Sequence, residues 1–184
     1  APIALVRQIL RLHPGFEPTA VLAGRYAAQL ADYTVISATD GNHGRALAAA
    51  ARDAGCRCQI VLHAQVSLER EQAIADCGAQ IVRIPGNYDD SVAEAARLAA
   101  AHGWQVISDT SYDGYEEIPR DVMQGYGTIA EEVVQQTGAR AGEAGAFTHV
   151  LLQGGVGGLA AGLASYWWEF HGADRPRFIV VEPA

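Results

Sequence analysis

The chain contains no lysine: all 13 of its basic residues are arginine. That excludes a Walker-type phosphate loop, which needs a lysine after its glycines. A complete protein of 184 residues without one lysine would be unusual, and the chain opens at Ala1 and stops at Ala184 just after an apolar run, so both ends read as cut. Cysteine is scarce as well. Cys56, Cys58 and Cys77 are odd in number and irregularly spaced, which excludes a CxxC metal or redox pair and a disulfide framework. They read as small reduced core residues, which suits a cytoplasmic protein, and no metal site is expected. No apolar run reaches the ~18 residues that a spanning helix requires. The stretch Ile3 to Leu12 is interrupted by Arg7 and Arg11, so neither a membrane span nor a signal segment is expected. Positive charge is also short: the net charge is −8 and the arginines form no stripe, which argues against a nucleic-acid backbone as partner.

What is present is a soluble globular composition, with 49% hydrophobic residues, enough to bury one sizeable core in one domain or two small lobes. From Thr34 onward, short β-branched or apolar runs alternate with Ala-rich segments of helical length, the pattern of a parallel sheet covered by helices. Strands are expected at Thr34–Ala38, Arg57–Leu62, Ala79–Ile84, Gln105–Ser108, His149–Leu152 and Phe178–Val181. Helices are expected over Asn42–Ala54 with Gly55 as C-cap, from a Ser67 cap to Cys77, and from an Asp89 or Asp90 cap to Ala101. Two longer ones should run from Pro119 to Gln136 and from Gly158 to Phe170. Asp109 to Glu117 reads as a loop, and the glycine-rich Thr137 to Ala146 as an exposed connector and candidate lobe boundary. The first 33 residues fit least well, because Pro14, Gly15 and Pro18 break them before a helical Ala20 to Leu30.

Two glycine-rich turns lie at strand-to-helix junctions: Ser37 to Gly44 and Gln153 to Gly158. Such junctions gather backbone N–H groups at the positive end of a helix, where an anion such as phosphate is favoured. For Gly154, Gly155, Val156, Gly157 and Gly158 two accounts stand, tight helix packing and a phosphate cradle. In the first turn Asp40 can cap the following helix, His43 can be a surface or capping histidine, and Asn42 can serve a left-handed turn. Their conjunction in one turn, at the carboxyl end of a strand, shifts the weight toward a ligand site.

The run Thr39-Asp40-Gly41-Asn42-His43-Gly44 resembles the asparagine loop of fold-type II pyridoxal-phosphate enzymes, and its Asp form resembles the diaminopropionate ammonia-lyases. Further similar segments follow in order: Asn87 to Asp90, Ser108 to Tyr115, Ile118-Pro119, Met123 to Tyr126, His149 to Gly158 and Val180 to Pro183. The resemblance covers residues 34 to 184. It implies a tryptophan synthase β-like α/β fold with parallel sheets, covering helices and two lobes, here incomplete. Residues 32–110 would form the smaller lobe, and 1–31 with 111–184 parts of the larger, cofactor-binding one.

The resemblance also implies site roles. Asp40 and Asp109 match two carboxylates that act as bases toward opposite faces of the substrate α-carbon. Asn42 would lie beside the ring oxygen of pyridoxal 5'-phosphate, and Gly154 to Gly158 would hold its phosphate. Thr39, Gly41 and His43 would hold the substrate carboxylate, with Thr110 also at the substrate. The implied reaction is the α,β-elimination of 2,3-diaminopropionate to pyruvate and ammonia, in a homodimer. Members of the family hold the cofactor on a lysine in an upstream segment that this chain lacks. The sequence reads as joined across a gap near Thr19-Ala20, and again near Ala31-Asp32, with the lysine segment and the carboxy-terminal part disordered or lost. Without that lysine the chain as given should be inactive. Two other readings remain: a non-catalytic relative kept for binding or assembly, and a serine or threonine dehydratase, whose members typically carry Ser where Asp40 stands.

Overall fold

A computed structural model describes residues 1–39 and 41–182. Its contacts divide the chain into two units, Ala1–Ser108 and Asp109–Ala184.

The first unit is built on a four-stranded parallel sheet in the order β3-β2-β1-β4, with β1 at Thr34–Ala38, β2 at Arg57–His63, β3 at Gln80–Ile84 and β4 at Gln105–Val106. Every residue of β1 is buried, and β2 is buried from Cys58 onward. Burial on both faces is what a central parallel strand shows; Val35, Ile36, Ile60, Val61 and Leu62 supply its apolar part, and Thr34, Ser37, Gln59 and His63 are buried with them. Successive residues of β2 show the two faces. Ile60 points toward the helix α4 (Asn42–Ala54), where it lies close to Gly44, whereas Val61 joins Ile36, Ala38, Ala95 and Ala99 under α6 (Tyr88–His102). The connections β1-α4-β2 and β2-α5-β3 step one way along the sheet, through α5 (Leu68–Ala75), and β3-α6-β4 steps back past β1. With right-handed crossovers that reversal puts α6 on the face opposite α4. It also makes the gap between β1 and β4 the point where the winding changes direction.

Local chemistry accounts for most element ends. Gly55 and Gly103 close α4 and α6 in the left-handed conformation, at φ +83 and +70. Ser67 caps α5, its hydroxyl accepting from Arg70 N, but the helix stops at Ala75 rather than at Cys77. The cap of α6 is Asn87, not Asp89 or Asp90. Asn87 Oδ1 accepts from Asp90 N at 3.1 Å while Asn87 N donates to the Asp90 carboxylate at 2.8 Å, so Asp90 is the return arm of a capping box. β4 is shorter than the expected Gln105–Ser108; Ile107 N still donates to Ile36 O before the chain leaves the sheet.

The first 31 residues are helical but broken. α1 (Pro2–Leu12) is amphipathic, burying Leu5 and Ile9 completely, and Arg7 and Arg11 lie outside its set of buried residues. In place of one helix from Ala20 to Leu30 there are α2 (Pro18–Leu22) and α3 (Ala27–Leu30), separated at Gly24, whose φ of +70 no helix accommodates. α1 and α2 pack on α4. In the contacts of this chain residues 1–31 therefore belong with the first unit.

The second unit pairs α7 (Glu117–Thr137) and α8 (Gly158–His171) against a two-stranded parallel sheet of β5 (His149–Gln153) and β6 (Arg177–Val181). Its apolar core holds Ala130, Val134, Leu152, Ala160, Leu163 and Trp167. Burying each of the larger side chains stabilises by roughly 1.5–3 kcal/mol. The connector expected at Thr137–Ala146 is exposed but is not where the units divide. It is held inside the second unit, with Gly142 N donating to Phe170 O at 2.8 Å and His171 Nδ1 donating to Glu143 O at 2.6 Å.

Candidate active site

The first glycine-rich turn leaves β1 at its carboxyl end, next to the place where β4 ends, the position at which open parallel sheets put their ligands. Asp40 lies outside the described residues. Around it the turn is organised by Thr39, which is buried and whose hydroxyl accepts from Gly41 N at 3.2 Å and Gly44 N at 3.3 Å. Thr39 thus satisfies a donor in the first turn of α4, the duty that sequence assigned to Asp40 as an alternative. Gly44 is required by that fold-back: a Cβ there would fall far inside van der Waals contact with Thr39 Cγ2.

His43 is also buried, not a surface histidine. Its Nε2 lies 2.8 Å from the carbonyl oxygen of Ile107, and because a carbonyl only accepts, Nε2 carries the proton. The bond joins the loop after β1 to the residue after β4, 64 positions away in sequence. Asn42 is exposed and is the first residue of α4, not a left-handed turn residue. With Gly41 it lines a cleft of about 470 Å³ whose walls include Arg45, Ser67, Glu69 and Arg70.

The second unit assembles a separate set of groups. Gly154, Gly155, Val156 and Gly157 lead from β5 into α8, and Gly157 is the N-cap at φ +81 with no capping side chain. α8 has 14 residues and no acidic side chain in its first turn, so its positive end is not neutralised by its own sequence. Gly155 and Gly157 face open space where a Cβ would stand, whereas Gly154 is pressed against the Glu182 side chain. That bare, open N-terminus fits a phosphate group. The tight-packing account applies to the turn's helical end, where Gly158 and Gly162 let α7 approach: a Cβ on Gly158 would stand 3.5 Å from Met123 Cγ, and one on Gly162 only 2.5 Å from Met123 O.

Asp109, half-buried, lies beside this turn, its carbonyl oxygen 3.9 Å from that same Gly158 Cβ position. Thr110, next in the chain, is half-buried too. Nearby, the Tyr126 phenol is pushed above its ordinary titration range, by burial first and then by the negative charge of Asp109. Sequence placed Tyr126 within a matching segment but gave it no role, and no pattern announced the Ile107 carbonyl as the partner of His43. The chain supplies no lysine for covalent attachment of a carbonyl cofactor.

Residues 18–184 match the family described as pyridoxal-phosphate dependent enzyme. The chain is 41% identical over 151 residues to a diaminopropionate ammonia-lyase of Escherichia coli K12, covering 82% of this chain and 37% of that protein. Against a biosynthetic chloroplastic threonine dehydratase of Arabidopsis thaliana it is 29% identical over 150 residues, 82% of this chain and 23% of that protein. The crystal structure of Escherichia coli diaminopropionate ammonia lyase in apo form superposes with a TM-score of 0.88 at 34% identity, over 99% of this chain and 49% of that one. The chain thus spans less than half the length of these relatives.

Proposed function

The chain belongs to the pyridoxal-phosphate dependent enzyme family, and we propose that a protein carrying it with a lysine-bearing segment eliminates one ammonia from 2,3-diaminopropionate, the product then taking up water and losing a second ammonia to give pyruvate. The observation that carries this reading is the Thr39–Gly44 loop, which opens at the winding reversal of a parallel sheet and is braced there by His43. The greater identity to the diaminopropionate ammonia-lyase than to the threonine dehydratase favours it over the dehydratase reading.

When bound, pyridoxal phosphate withdraws the electron pair left at the substrate α-carbon as its proton departs. The chain's residues take the remaining tasks. Gly154 to Gly158, at the bare N-terminus of α8, hold the phosphate, and Asn42 meets the ring oxygen. Gly41 and the N-terminus of α4 receive the substrate carboxylate. Thr39 and His43 serve that task by fixing the loop, since the hydroxyl of one and the Nε2 of the other are engaged within the unit. Thr110 completes the substrate contacts. Asp40 and Asp109 each move the α-proton, one on either face of the substrate.

For the complete protein the proposal keeps residues 32–110 as the smaller lobe and 1–31 with 111–184 as parts of the larger, although in this chain's own contacts 1–31 pack with the first unit. The working enzyme is a cytoplasmic homodimer; among the described residues no helix is long and apolar enough to cross a membrane.

The test is 2-oxo acid release by the lysine-bearing protein: pyruvate from D- and L-2,3-diaminopropionate and from serine, and 2-oxobutyrate from threonine. Faster release from diaminopropionate is expected, with Asp40→Asn and Asp109→Asn depressing opposite stereoisomers. Preference for serine or threonine would make it a dehydratase, and a folded protein that turns over none of them would be a binding relative. Equal loss for both isomers in either variant refutes the two-base assignment.

A further inference from the structure

We propose that the Glu182 carboxylate is the built-in counter-charge of the Gly154–Gly158 turn and competes there with the phosphate of an incoming ligand, setting how tightly the turn holds it. The inference deepens the reading of that turn as a phosphate cradle and rests on it.

Strand register brings the groups together. Gln153, the last residue of β5, pairs with Val181, the last of β6. The ladder continues one step further, Gly154 N donating to Val181 O at 2.9 Å, so Glu182 leaves β6 beside Gly154. Side chains alternate across a strand. Val150, Leu152 and Phe178 pack into the core shared with α7 and α8, so Gly154 and Glu182, at positions of the same parity, face the side on which α8 begins. There the Glu182 side chain crosses onto the turn: a Cβ built on Gly154 would stand 2.6 Å from both Glu182 Cγ and Glu182 Oε1, closer than such atoms come. Gly154 has no positive φ, so it is the space taken by the carboxylate, and not the backbone, that requires glycine here.

Charge gives the contact its consequence. α8 starts at Gly157 with no capping side chain and no acid in its first turn, so the end of another element supplies the negative charge that its N-terminus attracts. Burial does not hold Glu182 there, because the residue is exposed. Nor does a cation of the same sheet, since His149 and Arg177 are register partners at its opposite end. Asp109 is the other acid beside the turn. A phosphate entering the same turn brings more negative charge than a carboxylate, and like charges at short range oppose one another. Glu182 therefore takes part of the attraction that would otherwise fall to the phosphate.

The experiment is NMR titration of the full chain with inorganic phosphate and with pyridoxamine 5'-phosphate, which has no aldehyde and needs no lysine, following the Gly155 and Gly157 amides. Glu182→Gln should bind both about two- to fivefold more tightly than the parent. Glu182→Asp, one methylene shorter, should fall between them, and it carries the test if the Gln variant does not fold. Glu169→Gln removes the same charge about 16 Å further along α8 and should bind as the parent does. Pyridoxamine, which lacks the phosphate, should not distinguish the variants. Without added phosphate, Glu182→Gln should unfold at lower urea than the parent in dilute buffer, the gap closing in about 1 M sodium chloride. A folded Glu182→Gln that binds phosphate no more tightly than the parent, a gain matched by Glu169→Gln, or the absence of that salt-dependent gap overturns the proposal. If no form binds either phosphate compound while the gap is present, the cradle reading fails and the counter-charge stands; binding without the gap does the reverse.

Discussion

His43 Nε2 and the carbonyl oxygen of Ile107, 2.8 Å apart, tie the turn that follows β1 to the end of β4. The bond is buried and spans the winding reversal of the sheet, so it fixes the mouth of the loop from which Asn42 projects.

Removing it should cost more than an exposed hydrogen bond would, because the Ile107 carbonyl then loses its side-chain donor in a dry setting. His43→Leu should destabilise the first unit by about 1–3 kcal/mol. His43→Gln, whose amide can approach the same carbonyl, should recover part of the loss. Urea denaturation followed by far-ultraviolet circular dichroism measures both, and equal stability of the Leu variant and the parent would show the bond to be idle.

Gly44 and Thr39 form a pair that can be broken and repaired. In Gly44→Ala the new methyl would overlap Thr39 Cγ2, and the turn must open at a cost of about 1–3 kcal/mol. Thr39→Ser keeps the oxygen that accepts from Gly41 and Gly44 but removes the offending methyl. The double variant should therefore be more stable than Gly44→Ala alone. Additive losses across the cycle would mean that the two residues do not meet.

Alkaline stability should fall through the buried thiols. Burial pushes Cys58 up from 9.0 to about 12, with a further rise from Cys56, and burial also takes Cys56 up to about 11. The folded chain thus holds these protons more tightly than the unfolded chain. Their contribution is complete below the ordinary thiol range and is lost as pH climbs from 9.0 toward 12. Denaturation at about pH 7 and about pH 10 should show the loss, and Cys58→Ala should flatten the slope. The same burial predicts slow reaction of Cys58 with thiol reagents until the chain unfolds.

The placement of elements was legible wherever it rests on nearby residues. The apolar runs at Thr34–Ala38 and Arg57–Leu62 fold as buried parallel strands, and Gly55 and Gly103 end their helices as their position suggested. Where two local signals competed, sequence chose less well. Asp89 and Asp90 are acceptable caps, yet Asn87 caps α6, because a capping box needs its acidic arm three residues inside the helix. Ala20 to Leu30 has helical composition, but the left-handed Gly24 splits it.

By itself, then, the sequence determined the alternation of strand and helix, the two glycine-lined turns and the lack of any lysine, since each of these is written within a few consecutive residues or in composition. Tertiary structure decided the rest: that β4 returns beside β1, that His43 reaches Ile107, that Thr39 folds back on Gly44, and that Glu182 lies against Gly154. These depend on which distant segments pack together, and the free energy that selects the pairing is spread over the buried core, so no local pattern records it.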